Sequence, residues 1–158
     1  MRKVKAKFPI KCNVYLLATD QETGEEKVVA ASHNLIVTVG KALVANMLSE
    51  TSGYDTGITY CAVGTGITAP LVSDTTLTTE HARATITRYT VVSNVATYRT
   101  FFVSTAVNVF IKEIGLFGHS TAGAGVNTGV LFNHALLSYD NSGGSPVDLT
   151  ILIEVTFG

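Results

Sequence analysis

The sequence predicts an all-β fold, an antiparallel β-sandwich of roughly eight or nine strands with one short helix, and three observations carry that expectation. At the carboxyl end, Val147, Leu149, Ile151, Ile153, Val155 and Phe157 alternate with Asp148, Thr150, Leu152, Glu154 and Thr156. Such a period of two marks a long, half-buried strand. Upstream, Ala84 to Val92 and Val95 to Ser104 flank Ser93-Asn94, a pair suited to a tight turn, and so read as an antiparallel hairpin. Hydrophobic residues make up 46% and charged residues 15%, which supplies ample material for a core and little charge to solvate a free monomer.

The remaining elements follow in chain order. Cys12 to Ala18 and Lys27 to Ala31 read as strands joined by Asp20-Gln21-Glu22-Thr23-Gly24-Glu25, whose Asp and Gly suit a hairpin turn. Leu35 to Val39 is a further strand. Lys41 to Leu48 is the convincing helix, with Leu43, Met47 and Leu48 on a common face, expected as a lid over one sheet edge. Ile58 to Gly64, Val109 to Phe117 and Gly129 to Ser138 complete the strands, and a second helical turn is expected in Asp74 to Arg83, capped by Asp74. Ser49 to Gly57, Gly64 to Ser73 and Gly118 to Gly129 read as exposed loops. The last is so rich in Gly that it is expected to order only against a neighbouring subunit.

With 158 residues and no internal repeat, the chain suits one domain, residues 12–158, preceded by a basic arm, residues 1–11. In that arm Arg2, Lys3, Lys5, Lys7 and Lys11 alternate with Val4, Ala6, Phe8 and Ile10. No apolar signal region follows, so the mature chain is expected to begin near Met1, and no apolar run has the ~18 residues of a membrane span. A net charge of −1 leaves no broad basic face for a phosphate backbone. Neither nucleic acid nor membrane is an expected partner.

Chemistry is hard to find in the sequence. His33, His81, His119 and His134 are scattered without a close pair of ligand types, so no metal site is expected. His134 shares strand parity with Val130, Phe132 and Leu136 and reads as a hydrogen-bonded core or interface histidine. Cys12 and Cys61 lie in apolar strand contexts and read as small buried thiols. No GxSxG elbow occurs, and Gly64-Thr65-Gly66 lacks the following GK[ST] of a phosphate loop. Gly64 and Gly66 instead suggest a sharp reversal after a strand, with Pro70 stiffening the outgoing loop. Phe101, Phe102, Phe110 and Phe132 fall inside strand patterns and are assigned to the core. With no Trp, the strongest usual sugar platform is missing. No cofactor and no catalysis are expected.

In Glu113-Ile114-Gly115-Leu116-Phe117, Ile114 and Leu116 share one face and Glu113 and Phe117 the other, while Gly115 admits a close neighbour. A lone strand Glu is expected to pair with a base such as Arg88 or Arg99. Together, Asn34-Leu35-Ile36-Val37 with Gly40, Tyr60 to Gly66 with Thr68-Ala69-Pro70, Asp74-Thr75 and Leu77 resemble small structural proteins of tailed bacteriophages. Lys112 to Phe117 is similar to the E-[IV]-G-L-F strand of tail-fibre and tail-collar attachment domains. A typical fibre continues into a shaft and receptor-binding tip, whereas this sequence stops at Gly158, so receptor binding is not carried over.

The resemblance implies a virion structural subunit, assembled in the host cytoplasm and acting through homo-oligomeric and heterologous contacts. A trimer or higher ring suits sheets with apolar faces. A tail or fibre-attachment role is preferred over capsid decoration, and a carbohydrate-binding module for host adsorption is a third reading. The residues expected to carry assembly are Arg2, Lys3, Lys5, Lys7, Gly64, Gly66, Pro70, Glu113, Gly115, Phe117, Gly123 and Gly125.

Overall fold

The alternating carboxyl-terminal segment becomes the middle strand of a five-stranded antiparallel sheet. The computed structural model describes residues 9–158. Its elements are β1 (Ile10–Thr19), β2 (Glu26–His33), β3 (Leu35–Ile36), α1 (Thr38–Leu48), β4 (Ile58–Gly64), β5 (Glu80–Thr85), β6 (Arg88–Val92), β7 (Val95–Phe102), a 3-10 turn (Ser104–Ala106), β8 (Phe110–Gly118), β9 (Val130–Asp140) and β10 (Leu149–Phe157). The strands form two sheets, in the orders β2-β1-β10-β7-β6 and β3-β9-β8-β4-β5, packed as an all-β sandwich.

Between the sheets, Val14 and Leu16 of β1 and Ile151, Ile153 and Val155 of β10 meet Cys61, Val63, Ile114, Leu116 and Phe132 from the second sheet. Each such side chain contributes about 1.5 to 3 kcal/mol when fully buried, so this interior is the main source of stability. Asn133 ties the layers together by donating from Nδ2 to Cys12 Sγ at 3.2 Å while its Oδ1 accepts the Leu116 N–H at 2.8 Å.

The turns follow their residues. Asp20 Oδ1 accepts the N–H groups of Glu22 and Thr23, and Gly24 adopts φ +71°, a left-handed conformation that glycine takes without a Cβ penalty. Ser93-Asn94 joins β6 to β7 with Val92 opposite Val95.

Several boundaries differ from the sequence reading. The first arm of the expected hairpin is two strands in different sheets, β5 and β6, because the chain crosses between layers at Ile86-Thr87. The helix begins at Thr38 rather than Lys41, leaving β3 only two residues, and Leu48 points to solvent at 83% exposure while Leu43 is buried. Asp74 to Arg83 contains no helix: Asp74 accepts the Leu71 N–H, and β5 starts at Glu80. Ile10 and Lys11 belong to β1 rather than to an arm. Phe102 and Phe132 are core residues, but Phe101 and Phe110 are exposed. β9 also carries a bulge. Leu116 and Phe117 pair with Asn133 and Leu131, which makes Phe132 the extra residue. Parity therefore inverts there, and His134 lies on the opposite face from Phe132.

Helix α1 lies against β9 so closely that a Cβ on Gly40 would stand 2.0 Å from the Phe132 carbonyl oxygen. Gly40→Ala separates two effects of opposite sign. Helix propensity alone would favour Ala by about 1 kcal/mol, whereas overpacking costs about 1 to 3 kcal/mol. Chemical denaturation of Gly40→Ala should show a net loss of stability, with a lower midpoint than wild type.

Candidate functional site

The outer face of the second sheet carries two buried polar clusters and a small apolar cluster. Val37, Ala62, Leu77, Phe117 and Leu131 pack there, with Tyr60 and Val39 at their margin. Covering them is the loop of residues 65–79. Leu77 comes down onto Gly115, where a Cβ would lie 3.0 Å from Leu77 Cδ2 and 2.7 Å from the Asn133 carbonyl oxygen. The close approach expected at Gly115 is realised, and Glu113 and Phe117 share this outer face.

Glu113 is fully buried beneath that loop. Its Oε1 accepts N–H bonds from Gly66 at 3.0 Å and Thr79 at 2.6 Å, and its Oε2 accepts from Thr78 at 2.9 Å. His134 Nε2 stands 2.9 Å from the same Oε2, and His134 Nδ1 stands 2.8 Å from Asp74 Oδ2. Glu113 therefore pairs with His134; Arg99 pairs with Glu26, and neither it nor Arg88 is the partner. Carboxylates at both ring nitrogens suit a doubly protonated ring.

The glycines at the start of this loop exist for space. Cβ atoms at Gly64 and Gly66 would lie 2.5 and 2.4 Å from Glu113 Oε1. Neither glycine has a positive φ, so the expected sharp reversal is not what requires them. The Gly66 amide, which a phosphate loop would offer to an anion, is already taken by Glu113.

A second cluster fastens the loop of residues 119–129. Arg83 and Glu80 form a buried bidentate pair, Nε to Oε1 at 2.6 Å and Nη2 to Oε2 at 2.7 Å. Arg83 Nη1 donates to the carbonyls of Gly123 and Thr128 and to Thr128 Oγ1, and Glu80 Oε2 accepts the Asn127 N–H. The guanidinium lies 4.5 Å from the Phe117 ring centre. The Gly-rich loop is thus ordered from within the chain, contrary to the expectation that only a neighbour could order it.

Of the sequence candidates, Gly64, Gly66 and Glu113 converge in one cluster, with Gly115 on the adjacent row. Phe117, Gly123 and Gly125 gather around Arg83 and Thr128. Pro70 lies in the covering loop, half-buried. Arg2, Lys3, Lys5 and Lys7 lie outside the described residues. Sequence reasoning missed the Asp74–His134–Glu113 chain and the Glu80–Arg83 pair. The available signal was an ionisable residue flanked by apolar strand positions, Glu113 before Ile114-Gly115-Leu116-Phe117 in β8 and His134 before Ala135-Leu136-Leu137 in β9.

Neither cluster offers the geometry of a reacting centre. Both His134 nitrogens face carboxylates, so the ring has no free position from which to deprotonate a hydroxyl or thiol. Among the described residues no group of three His, Cys, Asp or Glu is placed to hold a metal ion. Cys12 and Cys61 are free and buried, and burial pushes both thiols up to about 12. No helix among the described residues is long and apolar enough to cross a membrane. An apolar cleft of about 610 Å³ opens between α1 and the end of the first sheet, lined by Ile10, Val44, Met47, Ile58, Tyr98, Val155 and Phe157, with Lys41 at its margin. Comparison with protein-family models, with curated proteins and with solved structures gives no match.

Electrostatics give the Glu113–His134 pair a pH signature. Burial alone would raise Glu113, but His134 and the three backbone N–H groups outweigh it and hold the carboxyl below 4.5. Burial alone would lower His134, but Glu113 and Asp74 outweigh it and hold the ring above 6.5. The Glu113 contribution is fully present above 4.5 and is lost as pH falls through its lowered value. The His134 contribution is fully present below 6.5 and is lost as pH rises through its raised value. Urea midpoints should therefore show the pair contributing most between 4.5 and 6.5, and His134→Gln should flatten the alkaline limb. Arg83→Ala should cost about 3 to 5 kcal/mol, because it strands the Glu80 charge, and limited proteolysis should then cut within residues 119–129.

Proposed function

We propose that the chain is a structural subunit of a tailed-phage virion that acts through protein contacts, placed at the tail or fibre-attachment apparatus and assembled in the host cytoplasm. The observation that carries this reading is the convergence of Gly64, Gly66 and Glu113, with Gly115 beside them. These residues, which carry the sequence resemblance, serve one buried cluster that shapes the fold. A motif kept for architecture suits a protein whose product is a surface. Apolar side chains remain on that surface: Val28, Tyr89, Val91, Val92 and Phe101 are exposed, and the α1 cleft adds an apolar concavity. Such patches mark association surfaces in soluble proteins.

Capsid decoration uses the same kind of contacts and differs in location. Carbohydrate binding for host adsorption draws support from a shallow groove at Asn13, Tyr15 and His33 on the first sheet, although one tyrosine is a modest stacking platform.

Mass spectrometry of purified, DNA-filled particles of the phage that encodes the chain tests the reading, combined with imaging of a label at Gly158. The expected result is stoichiometric chain with label over the tail. Label over the capsid faces would select decoration, and retention on a glycan array would select the carbohydrate reading. Particles that lack the chain would overturn the virion assignment.

A further inference from the structure

Among the described residues four strands end the two sheets, and three of them are protected against pairing with another chain. β2 carries Glu26 and Lys27, β3 has two residues, and β5 carries Glu80, His81 and Arg83. β6 is different. All five of its residues are exposed, and after Arg88 it reads Tyr89-Thr90-Val91-Val92 with no charge, proline or bulge. Tyr89, Val91 and Val92 are exposed by 75%, 69% and 73%. An open backbone edge bearing apolar side chains is a template for strand addition.

The register of the hairpin says which face each residue occupies. Tyr89 lies opposite Tyr98 and Val91 opposite Ala96, and Tyr98 in turn pairs with the core residue Ile153, so Tyr89 and Val91 extend the inner face of the first sheet. Thr90 and Val92 extend its outer face.

We infer that β6 pairs antiparallel with β6 of a second copy of this chain, joining the two first sheets edge to edge about a two-fold axis. The sequence of the strand is self-complementary in that arrangement. Thr90 meets Thr90, Tyr89 meets Val91 on the inner face, and Arg88 meets Val92 on the outer face. Aromatic and β-branched side chains are favourable cross-strand partners, and no like charges are opposed. A parallel in-register pairing would stack Arg88 on the partner's Arg88, which is unfavourable. The contact is isologous, so it closes as a pair. This inference rests on the assembly reading above and names a second copy as the partner for this edge.

The register makes a charge test specific. Val92 is exposed, so Val92→Lys and Val92→Glu leave the interior of each protomer alone, which unchanged circular dichroism and melting would verify. Sedimentation of the full chain should show a wild-type dimer. V92K places a lysine against the partner's Arg88 and should give monomer, whereas V92E places a carboxylate there and should keep the dimer, with a salt-dependent affinity at least about tenfold above that of V92K. A wild-type chain that sediments as a monomer, or two variants that respond alike, would overturn the pairing. Monomeric chain found in purified particles would leave the virion reading standing while the pairing fails. A dimer with the Lys/Glu split that is absent from particles would support the pairing and remove the virion reading.

Discussion

A carboxylate buried on the outer face of a sheet needs partners for both oxygens, and Glu113 takes them from the loop that covers it. Gly66, Thr78 and Thr79 give backbone N–H groups, and His134 gives a ring nitrogen held in turn by Asp74. Stripped of these donors, the charge would be strongly unfavourable in so dry a position. The requirement runs outward through the fold. It leaves room only for glycine at positions 64 and 66, keeps the loop of residues 65–79 down on the sheet, and lets Leu77 close the second apolar cluster over Gly115.

The same logic repeats around Arg83, which satisfies Glu80 on one side and the carbonyls of Gly123 and Thr128 on the other. In both cases a long loop is held by a charge reaching up from a strand. The second sheet is therefore covered on its outer face by loops, while among the described residues the outer face of the first sheet is left open, with polar side chains and the β6 edge. That asymmetry separates a face whose polar groups hold its covering loops from one that carries no such loop among the described residues.

Much of the fold was legible in the sequence because period-two alternation and turn residues act locally. The strand at Leu149–Phe157, the turns at Asp20 to Glu25 and Ser93-Asn94, and the opposed faces of Ile114 and Glu113 all follow from neighbours a few residues away. The sheet change at Ile86-Thr87 and the bulge at Phe132 were not legible, since each depends on which distant strand supplies the hydrogen bonds. His134 shows the cost. Simple alternation puts it beside Phe132, whereas the bulge turns it toward Glu113, so the cluster at its centre could not be assembled from spacing alone. Gly64 and Gly66 stand out in the sequence as a reversal, but a side chain 47 residues beyond Gly66 is what excludes a Cβ there.

Two charges that might have suggested chemistry, Glu113 and Glu80, are turned inward on backbone amides. The most direct measurement is residue-resolved hydrogen exchange of the Gly66, Thr78 and Thr79 amides in wild type and Glu113→Gln. If Glu113 anchors the loop, all three are protected in wild type and lose that protection together in the variant, while amides between β1 and β10 keep theirs. Free exchange of the three amides in wild type, or protection unchanged by the substitution, would contradict the account.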